Sequence, residues 1–452
     1  MFKAKIITLR EIAYLCIINI KQRAIKGAIS RYFHTKAERE IMLQDTTSRL
    51  LYILFFVTLL FGILLYNIIR FKGADELCAL LLLVIYIYHV FNTKDWDFSK
   101  GFLTTLALFL FYLIYSITIQ SNSTKGILFD LIIQLKPYLA FFTMYQMAPI
   151  FSQRQKTILK QTCILAWWIL LPIGLLGFPD EGFFRKVMEH PTNFATCIMS
   201  LSMVYLLFSN YTQKEKIAFI LMLAIGLASG RSKFYGFFVL ATALIFYLNK
   251  PERLKLNFKT ASVLCVVLVG MFVVAYDKLQ LYFITAATGE EEDLKARAVL
   301  YMTSFDIFKD YMPFGSGLAS FGTHASAVFY SKTYEEYGID TVWGLSKQMS
   351  SFIADTYYPS LAQFGVFGAC CFIFFWIYII VKSYKYFKKG QDIQYFLLTI
   401  LITCYLAIEN VAEASFTSNK GFFMMMLLGL ILGVQNNKSK EIENKNNIKI
   451  HE

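Results

Sequence analysis

Charge is what this sequence has least of. Only 17% of its 452 residues are Asp, Glu, Lys or Arg, against about a quarter in an ordinary soluble domain. Meanwhile 57% are hydrophobic and 17% aromatic. A water-soluble globule of this composition would run out of polar residues to coat its surface. Cysteine is scarce where a disulfide framework would need it. All but Cys16 of the eight (Cys16, Cys78, Cys163, Cys197, Cys265, Cys370, Cys371 and Cys404) fall in apolar runs. Neither a disulfide scaffold nor a cysteine-based zinc site is implied; small packing residues are the simpler account. No strongly apolar run precedes about residue 50, which argues against a cleavable signal peptide. Internal repeats and the half-to-half symmetry of many transporters are also lacking.

What the chain does contain is a series of apolar runs. A bilayer core about 30 Å thick takes roughly 20 apolar residues per helix, and the mean hydropathy is +0.51. The pattern predicts an all-α polytopic membrane protein of about twelve transmembrane helices. These fall near 50–69, 77–92, 102–120, 127–149, 162–178, 193–209, 216–230, 233–249, 260–276, 353–381, 393–411 and 421–434.

The net charge of +13 raises the question of nucleic acid, but its placement follows membrane orientation instead. With the N-terminus inside, the loops 150–161, 250–259 and 382–392 carry Arg154, Lys156, Lys160, Arg253, Lys255, Lys385 and Lys388. The opposite loops carry Asp75, Glu76, Asp180, Glu181, Glu189 and Glu413. The positive-inside rule therefore places both tails in the cytoplasm. Residues 1–49 read as a basic interfacial segment. Helices 1–9 occupy 50–276, a long polar loop outside the cytoplasm occupies 277–352, and helices 10–12 occupy 353–434. The Asn-, Lys- and Glu-rich stretch 435–452 reads as a disordered cytoplasmic tail.

Loops longer than about 12–15 residues are functional or disordered, and 277–352 is too aromatic for disorder. The spacing of Ala298, Met302, Phe305, Phe308 and Lys309 predicts an amphipathic helix, ended by Pro313 and by Gly315 and Gly317. A folded cap of short helices on the membrane is expected.

Four constellations could carry chemistry. Ser229-Gly230-Arg231-Ser232-Lys233 sets two cations between short spans. They either snorkel to headgroups or clamp an anion, Arg231 offering a fork suited to phosphate oxygens. Lys295 and Arg297 are either solvated and paired with Glu290, Glu291, Glu292 and Asp293, or they form the second cation site that a pyrophosphate needs. The Gly-rich run Pro313–Gly322 lacks the Lys-Ser/Thr of a nucleotide P-loop and lies on the wrong side for ATP. Gly315 and Gly317 shape a tight turn or cradle a phosphate. Asp355, with Tyr357 beside it as a candidate substrate contact, complements a helix dipole or acts as general base. His324, the one histidine of the long loop, has an ordinary pKa suited to a base or is an incidental surface residue. His190 and His89 read as packing or hydrogen-bonding residues. No acidic cluster has metal-ligand spacing, so neither a metal nor another cofactor is expected.

With these residues placed, roughly 125–370 resembles the O-antigen polymerase and O-antigen ligase superfamily of bacterial surface-polysaccharide assembly. The resemblance rests on "HPTNFA" (190–195), "LASGRSKFYGFF" (227–238), "ARAVLYMTSFDIFKDYMPFGSGLASFG" (296–322) and "DTYYPSLAQFGVFG" (355–368), in that order. It implies a multi-spanning inner-membrane glycosyltransferase with a large late periplasmic loop. The donor is an undecaprenyl-diphosphate-linked oligosaccharide, and arginines facing the diphosphate carry over to Arg231 and Arg297. A chain-length regulator and a flippase are expected companions, along with membrane lipids. Ligases of this kind have a histidine just before the span after the loop. Here that place reads "SSFIADTYYP" (350–359), which lacks one and favours a polymerase of repeat units. The base stays open between Asp355, His324 and no side chain at all. A ligase, a lipid-linked oligosaccharide flippase or transporter, and a non-enzymatic assembly partner are the alternatives.

Overall fold

The computed structural model describes residues 42–69, 73–93, 100–248, 292–390 and 392–451. The basic segment up to residue 41, the span expected at 260–276 and the start of the polar loop up to 291 lie outside the described residues.

All regular structure among the described residues is helical. Among the described residues, six helices are long and apolar enough to cross a membrane. They include α1 (Met42–Leu64), α2 (Ala74–Thr93), α3 (Lys100–Ile119), α4 (Thr124–Met147) and α5 (Gln153–Gly177). After the short α6 (Glu181–Met188) come the apolar α7 (Pro191–Leu207), α8 (Gln213–Ala224) and α9 (Ser232–Tyr247). The polar segment forms α10 (Glu292–Asp310), α11 (His324–Val328) and α12 (Thr333–Glu336). The sixth long helix, α13 (Gly365–Gly390), precedes α14 (Ile393–Glu409) and α15 (Asn419–His451).

Local chemistry sets several of the starts. Ser123, Ser152 and Thr212 each accept an amide of the first turn, and at Ser152 and Thr212 the side chains of Gln155 and Glu215 complete a capping box. The Ser152 box starts α5 nine residues before the apolar run that marked its span, so Arg154, Lys156 and Lys160 lie in helix. The span expected from 353 is corrected in the other direction. Residues 358–364 form a 3₁₀ turn containing Pro359, and Gly365 has a φ of +60°, so regular helix begins only there. The tail expected to be disordered instead continues α15 to His451, with Lys438 pairing to Asp392 at 2.8 Å and Lys389 to Glu443 at 3.0 Å.

The centre of the bundle is α4 packed along α15. Gly429 and Gly433 make this approach possible. A Cβ on Gly429 would lie 2.3 Å from the Phe141 carbonyl oxygen, and one on Gly433 would lie 3.0 Å from Ala148. Small residues four apart let two helix backbones meet where lipid offers no hydrophobic drive for association.

The polar segment has its own core of Ala296, Leu300, Ile307, Phe321, Tyr334, Leu345 and Ile353. It is fastened to α3, α4 and the turn between them by hydrogen bonds between their side chains and loop backbone. Asp130, fully buried on α4, accepts the Ala319 amide at 2.7 Å. Ser116 accepts the Leu318 amide at 2.8 Å, and Asn122 donates to the Ala319 and Phe329 carbonyls at 2.7 and 2.8 Å. Tyr112 and Tyr115 donate to Phe364 and Gly315 carbonyls at 2.6 and 2.8 Å. A buried carboxylate is retained only when its lone pairs are satisfied, and the turn at Leu318–Ala319 supplies a partner for Asp130.

Candidate functional site

The described cations of the sequence motifs gather at the end of the bundle that carries the polar segment, around the corner between α14 and α15. Arg231 is the half-buried N-cap residue of α9 and follows the left-handed Gly230 (φ +67°) that ends the 3₁₀ turn Ile225–Ser229. Its Nη2 lies 3.3 Å from Nε2 of His190. His190 is itself the N-cap residue of α7, with its Nδ1 accepting the Thr192 amide at 3.3 Å and Pro191 in the first helical position.

Lys233 does not snorkel. It pairs with the buried Glu409 at the end of α14 and, at 3.2 Å, with Glu413, which also pairs with Lys420 at the start of α15. Charges at membrane depth persist when they meet partners, and here four of them close a network across three elements. Partial burial would raise the Glu413 carboxyl, but Lys420 and Lys233 outweigh it and hold the group down at about 2. The shielding of the His190 ring from water and the nearby Arg231 push its imidazole down to about 4, with Lys420 and Arg185 acting in the same direction and Glu413 opposing.

Arg297, on the first turns of α10, forms an ion pair through Nε with Asp355. One turn further, Tyr301 donates to the Val411 carbonyl at 2.7 Å, and the Tyr357 amide donates to the Asn410 carbonyl at 3.2 Å. Both cation motifs thus converge on the corner 409–420, one through Lys233 and one through Tyr301 and Tyr357.

The other residues singled out by sequence take different places. The Tyr357 ring is buried against Phe416 and Phe372, with centroids 5.2 and 5.5 Å away. Gly315 and Gly317 have φ values of +81° and +86°. Their amides donate to the Tyr311 and Gln363 carbonyls at 2.7 and 2.9 Å, and a Cβ on Gly315 would strike the Gly365 amide at 2.2 Å. The Gly-rich run is therefore the turn that lets the polar segment dock on 362–365, with these amides already occupied. His324 begins α11, where its ring lies 6.0 Å from Phe129 of α4. Shielding from water lowers its imidazole, as does Lys136, against an opposing Glu76.

Sequence reasoning missed His190 as a partner of Arg231, and it missed Glu409 and Lys420 altogether. A carboxylate at the end of one apolar run and a lysine at the start of the next were the available signal.

Beside the Arg231 motif lies an apolar groove of about 560 Å³ between α5, α8 and α9, lined by Gly174, Leu175, Ala224, Leu227, Ala228 and Phe238. Leu227 and Ala228 belong to the same turn that presents Arg231.

The long apolar helices and the paired charges at one end of the bundle define a multi-pass, all-helical membrane protein. The model of the O-antigen ligase family matches residues 217–373, consistent with the O-antigen polymerase and ligase superfamily. Members of that family are membrane enzymes acting on lipid-linked sugars. The match runs from α8 through the polar segment into α13 and contains Arg231, Lys233, Arg297, His324 and Asp355. No curated protein matches the chain.

Proposed function

We propose that this protein is a polymerase joining undecaprenyl-diphosphate-linked oligosaccharide units into a surface polysaccharide at the outer face of the inner membrane. The observation that carries the reading is the juxtaposition of an apolar groove and a cation motif on one turn. Leu227 and Ala228 line the groove and Arg231 follows three residues after Ala228. An amphiphile with an isoprenoid tail and a diphosphate head matches both halves, the tail in the groove and the head at the guanidinium.

In this mechanism Arg231 and Arg297 stabilise the diphosphate as it leaves the anomeric carbon, while a sugar hydroxyl of the acceptor attacks. Charge stabilisation at the leaving group supplies the main rate effect. Asp355, paired with Arg297, fixes that guanidinium, and the folded polar segment excludes water from the glycosyl centre. The missing histidine before α13 favours repeat-unit polymerisation over ligation.

The purified protein in nanodiscs, supplied with the lipid-linked repeat unit as both donor and acceptor, tests this directly. A ladder of polymer on the carrier is expected, and it disappears in Arg231→Ala. Transfer that occurs only when a lipid A-type acceptor is added makes the protein a ligase. Movement of the unit across a liposome bilayer without any new glycosidic bond makes it a flippase. Ala228→Trp, which fills the groove, raises KM for the long-chain carrier and spares a short-chain analogue.

A further inference from the structure

His190 is fixed by the backbone it caps. Its Nδ1 accepts the Thr192 amide at 3.3 Å, and a backbone amide can only donate. The neutral ring therefore carries its proton on Nε2. That atom lies 3.3 Å from Nη2 of Arg231, a group that also only donates. Moving the proton to Nδ1 would set it against the Thr192 amide, and the imidazolium would put donor against donor at both nitrogens. The cap thus aims two donors at one place.

We propose that His190 is a second donor of the anion site, its Nε2–H and the Arg231 guanidinium converging on one oxygen of the carrier diphosphate. This inference rests on the reading of Arg231 as the diphosphate contact. An oxyanion seated between the two groups turns an unfavourable donor–donor approach into two hydrogen bonds, one of them charge-assisted. Partial desolvation and the nearby Arg231 disfavour the imidazolium, and the Thr192 cap leaves the proton of the neutral ring on Nε2. The other charges facing the ring are Arg185 from α6, Glu413 from the corner and Lys420 from α15. The two groups come from separate helices: His190 opens α7 and Arg231 opens α9, 41 residues later.

The two functions of the ring can be separated by isosteres. Asn reproduces the position of Nδ1 and is among the best N-caps, but it does not reach Nε2. Gln places an amide N–H near Nε2 and gives up the cap. Binding of undecaprenyl diphosphate, without sugar, is measured on the full-length protein in nanodiscs for the wild type, His190→Asn, His190→Gln and Arg231→Ala, together with thermal unfolding. His190→Asn is expected to unfold like the wild type yet bind about tenfold more weakly, the scale of one hydrogen bond to a charged group. His190→Gln is expected to unfold earlier and recover most of the affinity. Wild-type affinity in His190→Asn, with Arg231→Ala impaired, overturns the inference and leaves the diphosphate reading standing. Equal loss of affinity and stability in both His190 variants reduces the residue to a helix cap and also overturns it. Wild-type affinity in Arg231→Ala removes the diphosphate reading, and the inference falls with it.

Discussion

Arg297 and Asp355, 58 residues apart in the sequence, form an ion pair that joins the first turns of α10 to the approach of α13. The pair closes the polar segment at its base and gives the Arg297 guanidinium a fixed carboxylate partner. Both side chains are about one quarter exposed, so the pair contributes roughly 0–1 kcal/mol to stability. On the proposed reading of the site, the pair aims Arg297.

Asp355→Asn is therefore expected to leave unfolding temperature almost unchanged and to lower polymer formation less than Arg297→Ala does. Arg297→Ala is expected to reduce turnover roughly 100-fold, the scale for removing one donor from a developing anion. The reversed pair, Arg297→Asp with Asp355→Arg, is expected to unfold like the wild type without forming polymer. Radiolabelled chain growth and thermal unfolding on the same samples check all three. Full activity in the reversed pair would make the ion pair purely structural.

Two glycines separate packing from propensity. Gly429 faces the Phe141 carbonyl where α15 meets α4, whereas a Cβ on Gly236 of α9 meets no atom within 4 Å. Gly429→Ala is expected to destabilise by about 1–3 kcal/mol, the usual range for overpacking. Gly236→Ala is expected to be neutral or stabilising by up to about 1 kcal/mol, since alanine is the better helix former. Thermal unfolding in detergent reads both, and equal shifts would show that α15 and α4 do not meet this closely.

Stability should fall with pH in two separate windows. His190 is held at about 4 against an ordinary 6.5, so between these values the unfolded chain binds a proton that the folded chain refuses. Folding stability therefore decreases as pH drops from 6.5 to about 4, then levels for this group. Glu413 is held at about 2 against 4.5. Its contribution is complete above 4.5 and is lost as pH falls from there towards 2. Unfolding temperatures across pH should show the upper slope vanish in His190→Asn and the lower slope vanish in Glu413→Gln. A wild-type curve that is flat from pH 6.5 to 4 refutes the His190 assignment.

Much of this architecture was legible in advance because lipid imposes a simple rule. Backbone polar groups in a bilayer must be satisfied within the segment, so apolar length reads directly as helix. The expected helix at 298–309 lies within α10, and most spans within a few residues of observed helices. Errors arose where another interaction overrode apolar length. The Ser152 capping box extends α5 through charged residues, and Pro359 with Gly365 delays α13. The polar end of α15 stays helical with Lys438 and Lys389 paired to Asp392 and Glu443.

By itself the sequence determined that the chain is helical, that it belongs in a membrane, and that its cations cluster in two motifs beside apolar runs. Those properties follow from composition and from neighbours along the chain. Only the tertiary structure decided what each charge meets. Lys233 finds Glu409 across 176 residues of chain, Arg297 finds Asp355, and Asp130 accepts an amide 189 residues away. A charge in a low-dielectric setting is governed by the partner within a few ångströms, and which partner that is depends on how the helices pack. Helix packing in turn depends on small residues such as Gly429 and Gly433, whose role is visible only once the opposing backbone is in place.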